Sequence, residues 1–157
     1  KENQLLNYDL ISSLTDKNDT SFYHENLDLS VAGCYSLTAI DSYYNESTRS
    51  NEVCVDNCPV YYLPNIFTPN GDKANDVFTP FMPYRFIDHV ILKIYNRWGN
   101  LVFETKDADI NWGGDNLLTG KKLQSGVYFY TCELYEKRIN GVVKNENTLK
   151  GWIEIIY

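Results

Sequence analysis

The stretch HVILKIYNRWGNLVFET (89–105) constrains the fold most strongly, because its apolar side chains recur with a period of two. Successive side chains of a strand point to opposite faces. One face carries Val90, Leu92 and Ile94. The dipeptide Gly99-Asn100 is typical of a hairpin turn, after which LVFE returns. The stretch therefore predicts two antiparallel strands and not a helix.

Similar signals recur through residues 58–157. SGVYFYTCELYEKR places Tyr128, Tyr130, Cys132 and Leu134 on one face, INGVV turns the chain, and LKGWIEIIY supplies a last strand. The composition agrees, since 13 Tyr, 7 Phe and 3 Trp stand against one Met and aromatic residues favour strands. We predict an all-β fold, an Ig-like or fibronectin-like β-sandwich of about seven strands over residues 58–157.

Residues 1–57 predict a second, incomplete unit. Two strand-like segments flank the polar loop DSYYNESTRS. The pattern over residues 3–57 resembles the last strands of a fibronectin type III domain, at Leu29, Tyr35, Leu37, Ala39 and Asp41. Such sandwiches need roughly 90–100 residues, so we expect upstream strands beyond this sequence. The alternative is a small β appendage that packs on the second unit.

The charge distribution separates the two units and excludes several functions. Residues 1–57 carry ten acidic and three basic side chains, whereas residues 58–157 carry eleven of each, which gives −7 in total. An acidic chain without a basic stripe argues against nucleic acid as a partner. No apolar run approaches the roughly 20 residues of a transmembrane helix.

Four cysteines indicate disulfides in an oxidising compartment, because their spacing does not fit a zinc site. If Tyr35, Leu37, Val53 and Val55 point inward, Cys34 and Cys54 both point outward on neighbouring antiparallel strands. They then lie within disulfide reach, which predicts Cys34–Cys54. Cys58 and Cys132 are left to pair, although four cysteines allow three connectivities.

Motifs for catalysis are missing from the sequence. It contains no G-x-S-x-G, no HExxH and no Walker phosphate loop, and neither histidine lies in a motif. A glycosidase carboxylate pair is defined by spatial separation, but acids scattered over turns are normally surface charges. We therefore predict that the chain is not an enzyme.

The segment NIFTPNGDKANDVF (65–78) allows two interpretations. Pro69-Asn70-Gly71-Asp72 is typical of a tight turn in which Asn and Asp side chains bond nearby backbone amides. Calcium is the weaker alternative, with oxygen ligands from Asn70, Asp72, Asn75 and Asp76, because the spacing departs from the EF-hand. No cofactor is otherwise expected.

Two tryptophans pose a choice between core and ligand binding. Trp98 shares the strand parity of Leu92 and Ile94, which predicts a core position. Trp112 lies in the loop-like DADINWGGDN, and both positions stay open for it. Exposed tryptophans stack on sugar rings, so a carbohydrate-binding or adhesive surface module is the alternative function.

Five segments together resemble one family. They are LPNIFTPNGDKANDVFTP, LKIYNRWGNLVFE, INWGGDN, SGVYFYTCELYE and LKGWIEII. Their order resembles the gliding motility-associated C-terminal domain, the type B sorting domain of the type IX secretion system of Bacteroidota, over residues 58–157. Lys73 stands where the family usually has Gly, and Gly113 where it usually has Asp.

The resemblance implies that this domain is an address label. It would direct a large cell-surface protein, such as an adhesin used in gliding or attachment, across the outer membrane, so the chain is expected at the cell surface. The expected partners are the outer-membrane translocon, an associated outer-membrane shuttle or partner barrel protein, and upstream cargo domains.

Three surface features are candidates for recognition: the loop from Asn65 to Asp76, the NRWGN hairpin tip and the terminal strand, which we expect at a sheet edge open to a receptor strand. The candidate residues are Asn65, Thr68, Pro69, Asn70, Gly71, Asp72, Asn96, Arg97, Trp98, Gly99, Trp152, Ile153, Ile155 and Tyr157.

Overall fold

The computed structural model describes residues 8–27 and 29–157, so the start of the predicted first unit and residue 28 lie outside the described part. The described chain contains strands and no helix, which confirms the all-β prediction. The strands are β1 (Gly33–Tyr35), β2 (Val53–Val55), β3 (Ile66–Phe67), β4 (Ile87–Tyr95), β5 (Leu101–Thr105), β6 (Gly126–Arg138), β7 (Gly141–Lys144) and β8 (Leu149–Ile155).

Six of these strands form one sheet in the second region, which we define as residues 58–157. The order is β3-β8-β6-β4-β5, and β7 pairs with the far end of β6. Long β6 is the centre, because one edge pairs with β4 and the other is shared by β8 and β7. All pairs are antiparallel except β3 with β8.

The predicted alternation of β4, β6 and β8 sets the inner face of this sheet. Its buried side chains are Val90, Leu92, Ile94, Tyr128, Cys132, Leu134, Ile153 and Ile155. Phe67 of β3 is also buried, and a second layer of irregular segments covers this face with Tyr61, Phe78, Ala108, Ile110 and Trp112. Phe78 and Trp112 exchange backbone hydrogen bonds of 2.8 and 3.1 Å within that layer. The second region is therefore a sandwich with one regular layer and one irregular layer.

The two tryptophans lie in opposite environments. Trp112 is only 2% exposed and packs between Phe67 and Phe103, at ring-centre distances of 5.4 and 5.3 Å. Trp98 is 75% exposed, so the prediction that it fills the core is wrong. Strand parity ends at Tyr95, where β4 stops and the hairpin turn begins. Counting alternate residues through a turn has no physical basis.

The terminal strand β8 is not a fully open edge. Its last residues pair with β3, since Ile66 faces Glu154 and Phe67 faces Ile155. The side chains of Ile153 and Ile155 are completely buried. The prediction that these two isoleucines contact a partner is therefore corrected, because alternation along β8 points them into the core.

The first region, described for residues 8–27 and 29–57, has a two-stranded sheet. Strands β1 and β2 are antiparallel and place Cys34 opposite Cys54, and the predicted disulfide between them is confirmed. The expected inward face is bare, because Leu37 is 77% exposed and Val53 66% exposed. The described chain offers no layer against which this face packs.

A polar junction, and not a disulfide, joins the two regions. The Asn57 side chain is buried; its Oδ1 accepts from the N–H of Val31 at 2.8 Å, and its Nδ2 donates to the Lys137 carbonyl at 2.7 Å. Asp56 forms an ion pair with Arg138 at 3.2 Å. These bonds tie the end of the first region to the β6–β7 hairpin.

The predicted Cys58–Cys132 disulfide is not formed, and both thiols are free. Cys132 lies on the inner face of β6 and is completely buried, whereas Cys58 is exposed. A residue on the core side of the central strand is shielded by the covering layer from a cysteine at the surface.

Candidate functional site

The loop from Asn65 to Asp76 is held by its own side chains. The Asp76 carboxylate accepts hydrogen bonds from the backbone N–H of Gly71 at 2.6 Å and of Lys73 at 2.8 Å. Asp72 Oδ1 accepts from the N–H of Ala74 at 2.8 Å. Side chains that bond nearby amides are typical of Asx turns. The carboxylates of Asp72 and Asp76 therefore already stabilise the loop through hydrogen bonds to its backbone.

Left-handed backbone accompanies this network. Gly71, Lys73 and Asn75 have φ values of 83°, 72° and 53°. Gly and Asn tolerate this conformation, whereas a Lys side chain is strained in it. The strain explains why a glycine suits position 73, where the resembled family usually has one.

The NRWGN hairpin tip presents two adjacent side chains to solvent. Gly99 N–H donates to the Asn96 carbonyl at 2.9 Å, and Gly99 adopts a φ of 82°, so the turn is centred on Arg97 and Trp98. Asn96 Oδ1 accepts from the N–H groups of Trp98 and Asn100, both at 3.0 Å. The Arg97 guanidinium lies 5.1 Å from the centre of the Trp98 ring, within cation–π range.

A row of apolar side chains crosses the outer face of the main sheet. The pairings Leu101 with Tyr95, Tyr95 with Phe129, and Phe129 with Trp152 place these four residues side by side on β5, β4, β6 and β8. We call them the outer row. Phe129 is 50% exposed and Trp152 45% exposed. The solvent face of an antiparallel sheet usually carries polar residues, so this row is unusual.

Part of the outer edge of β8 is open to pairing. Glu154 donates its N–H to the Asn65 carbonyl at 2.9 Å, so even-numbered residues of β8 direct their backbone groups away from β6. By the same alternation, the backbone groups of Lys150 and Trp152 face outward beyond the end of β3. Among the described residues no backbone group pairs with them.

A cavity of about 230 Å³ lies between the hairpin tip and the loop that precedes β6. Its lining includes Arg97, Trp98, Lys122, Val127 and Tyr128, and no acidic residue. Lys122 is paired with Asp115 at 3.3 Å. Arg97 has no carboxylate partner among the described residues, which leaves a positive charge at the cavity.

The ionisable groups whose pKa values are shifted most belong to the core or pack against it. Burial raises the pKa of Cys132 to about 12, and burial together with the hydrogen bond to Asp109 raises that of Tyr84 to about 12. Burial also raises the pKa of Tyr61 far above its usual value, and the Tyr61 hydroxyl donates to the Ala108 carbonyl. These groups are protonated at neutral pH and are packed or bonded, so none is poised as an acid or base.

A buried carboxylate and a cluster of metal-binding residue types also have structural partners. Buried Glu136 accepts from the Asn145 amide and lies 3.5 Å from the Arg138 guanidinium. The one group of metal-binding residue types found in the described chain is Cys34, Glu52 and Cys54, whose two sulfurs are bonded to each other. Within the described residues no helix is long and apolar enough to cross a membrane.

The predicted recognition residues are only partly brought together. Arg97 and Trp98 share the cavity, Trp152 lies in the outer row, and Tyr157 donates its hydroxyl to the Leu123 carbonyl at 2.8 Å. The candidate residues of the segment from Asn65 to Asp76 flank the short strand β3, which lies within that segment. The surface positions of Tyr95 and Phe129 were not predicted, although their strand parity is opposite to that of Ile94 and Tyr128 and indicates the outer face.

The structure thus defines a class: an all-β sandwich that offers exposed surface features and no arrangement of catalytic groups in its described residues. The comparison with protein families identifies it further. Residues 61–155, more than half of the chain, match the CHU_C type IX secretion signal domain, and the chain belongs to this family. A comparison with curated proteins gives no match. The chain therefore carries a sorting signal for type IX secretion to the cell surface, and its family is not catalytic.

Proposed function

We propose that residues 58–157 are an address label that the type IX secretion machinery recognises after folding. The supporting observation is that the family match and the hydrophobic core cover the same residues. Every buried hydrophobic residue of the described chain lies within the matched residues 61–155. A signal confined to the part that folds around one core favours recognition of a folded surface.

The proposed readers are the outer-membrane translocon and an associated shuttle or partner barrel protein. Of the candidate residues, Asn65, Asn70, Gly71, Asp72, Arg97, Trp98, Gly99, Trp152 and Tyr157 are exposed and available for contact. Thr68, Pro69 and Asn96 are partly exposed. An extended segment of the receptor adding to the open edge at Lys150 and Trp152 is one mode that these contacts permit.

The cargo is proposed from the family resemblance. We propose upstream domains of a large surface protein, such as an adhesin for gliding or attachment, in a member of the Bacteroidota. Residues 1–57 are proposed to be the end of a fibronectin type III-like domain. The bare apolar face at Leu37 and Val53 supports this, because upstream strands would cover it.

A fusion experiment tests the sorting function. The whole chain is joined to the end of a periplasmic reporter and produced in a bacterium that has this secretion system. We expect the reporter at the cell surface in the wild type and in the periplasm of a translocon deletion strain. The control fusion carries Trp112→Ala, which removes the centre of the core. Periplasmic retention of the wild-type fusion in the secreting strain would refute the proposal.

A carbohydrate-binding module is the second candidate, because Trp98 is exposed at a cavity. Buried Trp112 is not available for stacking. On a panel of immobilised polysaccharides, this candidate predicts retention that Trp98→Ala abolishes. A chain that passes every column unretained speaks against it.

The loop from Asn65 to Asp76 is proposed to keep its shape without calcium. Its two carboxylates are occupied by backbone N–H donors, and an ion would have to displace them. We expect the same melting temperature in excess chelator and in millimolar calcium. A saturable rise with calcium that Asp76→Asn removes would support the calcium alternative.

A further inference from the structure

We propose that the receptor docks on a continuous surface formed by the outer row, Val127, Trp98 and Arg97, and that the receptor segment presents a carboxylate to Arg97 beside apolar side chains. This inference rests on the proposed recognition of the folded domain and specifies which surface is read. Its partner is a protein segment of defined chemistry.

The apolar part of this surface is continuous across the sheet. Tyr95, Phe129 and Trp152 are direct cross-strand neighbours. The next row toward the middle of the sheet, Lys93, Thr131 and Lys150, is polar. This polar row bounds the apolar row on the side toward the middle of the sheet. Large aromatic side chains, half exposed, are the residues that dominate binding energy when a partner covers them.

Val127 connects the outer row with the cavity. It lies two residues before Phe129, on the same face of β6, and is 42% exposed. It also contributes to the lining of the cavity next to Arg97 and Trp98. A segment that covers Phe129 therefore reaches the hairpin tip over Val127, whose cross-strand neighbour on β8 is Glu154.

The charge at the hairpin tip defines the complementary group. The Arg97 guanidinium stacks on the Trp98 ring. One of its nitrogens lies 3.9 Å from the point where a side chain at position 126 would place its Cβ. The cavity has two cations and no acid, and Lys122 is already paired with Asp115. An unpaired guanidinium with five donors beside an aromatic ring favours a bidentate carboxylate.

Gly126 lies beside Arg97 in a backbone conformation that favours glycine. Its φ is 144°, which a residue with a side chain rarely adopts, and a Cβ there would be in ordinary van der Waals contact with the Arg97 guanidinium at 3.9 Å. Position 126 accordingly favours a residue without a side chain.

The inference is tested with the whole chain fused to the periplasmic reporter described above. The charge variant is Arg97→Glu, with Arg97→Gln as a neutral second variant, and the apolar variant combines Phe129→Ser with Trp152→Ser. The matched controls are Lys121→Glu, an exposed cation outside the cavity lining, and the exposed aromatics Tyr62→Ser and Phe81→Ser. The melting temperature of each purified variant verifies the fold.

We expect both the charge variants and the apolar double variant to lower surface export at least about tenfold, as loss of a hot-spot contact does. The controls should export like the wild type. If the folded charge and apolar variants are exported like the controls, the docking surface is refuted while sorting stands. If the wild-type fusion stays in the periplasm, the sorting function itself fails and the inference with it.

An acidic sugar is the other ligand that a guanidinium beside a tryptophan can bind. Titration with galacturonate oligosaccharides distinguishes sugar binding from receptor docking. Tryptophan fluorescence is recorded for the wild-type chain and for Trp98→Ala, and the difference between the two reports on Trp98. Binding that Arg97→Gln abolishes, together with unchanged export of that variant, would overturn the inference in favour of a sugar site.

Discussion

The first and second regions are built from the same kinds of residues but are stabilised in different ways. The second region buries sixteen apolar side chains in one cluster. In the first region, described for residues 8–27 and 29–57, no hydrophobic residue is fully buried. There the polar loop is held by side chains: Ser50 Oγ accepts from the N–H of Leu37 at 3.0 Å, and Ser47 Oγ from that of Ala39 at 2.9 Å.

This difference shows that the second region contributes most of the stability of the folded chain. Burial of apolar area is the dominant favourable contribution to folding, and only the second region has it. A three-residue strand pair without a covering layer is marginal by itself. The disulfide and the Asn57 junction compensate for the missing core in the first region.

The largest expected effect comes from the centre of the core. Trp112→Ala should lower the free energy of unfolding of the second region by about 3–5 kcal/mol, because it removes a buried indole that contacts Phe67 and Phe103. Trp98→Ala, at the exposed tip, should change it by no more than about 0.5 kcal/mol. Urea denaturation followed by circular dichroism measures both. Equal losses would contradict the assignment of the two tryptophans.

Removal of the disulfide should act on the first region alone. Cys34→Ser combined with Cys54→Ser should cost that region about 3 kcal/mol, the chain-entropy value for a loop of this size. Hydrogen exchange in β1 and β2 should accelerate, while the denaturation midpoint of the second region stays unchanged. A lowered midpoint would mean that the two regions fold as one unit.

A single methyl group should disturb the sandwich. Gly151 lies on the inner face of β8, and a Cβ there would come 2.7 Å from the Tyr130 hydroxyl oxygen. Tyr130 packs against Phe78, so its ring has little freedom to move. Gly151→Ala should therefore cost about 1–3 kcal/mol of unfolding free energy.

The control on the same strand is Lys150→Ala, whose side chain points outward. It should change stability by less than about 0.5 kcal/mol. If the two substitutions have the same effect in chemical denaturation, the close approach of Gly151 and Tyr130 does not limit the packing.

Alkaline pH should affect the second region first, with little effect at neutral pH. Burial raises the pKa of Cys132 to about 12, and burial and Asp109 raise that of Tyr84 to about 12. In the unfolded chain these groups ionise near pH 8.5 and 10. The folded state thus holds its protons longer, and stability is complete below about pH 8.5 and declines as pH rises to about 12.

Thermal melting between pH 7 and 12 measures this decline. Cys132→Val, which removes the first group to ionise, should move the onset toward pH 10. A melting temperature independent of pH over this range would contradict burial as the cause of the raised pKa values.

The sequence predicted the regular layer and missed the irregular one, for a physical reason. Alternation along β4, β6 and β8 reports which side chains face a core, and these predictions are confirmed at Val90, Cys132 and the neighbouring positions. The covering layer has no period, because Phe78 and Trp112 pair through a single isolated bridge. The role of Trp112 was therefore left open.

Predictions for the candidate site failed where local pattern gives no information about neighbours. The exposure of Trp98 depends on where β4 ends, and the burial of Ile153 and Ile155 depends on the layer above β8. The outer row was missed because cross-strand register decides which aromatics meet. The pairing of Cys34 with Cys54 was predictable, since parity within two adjacent strands suffices.

Export of a fragment tests whether the folded second region carries the sorting signal. Residues 56–157, which keep the Asp56 and Asn57 junction, are fused to the reporter and compared with the whole chain in the same secreting strain. We expect equal surface export and the same cooperative melting transition. A fragment that remains folded but stays in the periplasm would contradict the proposal that the surface of this sandwich carries the sorting signal.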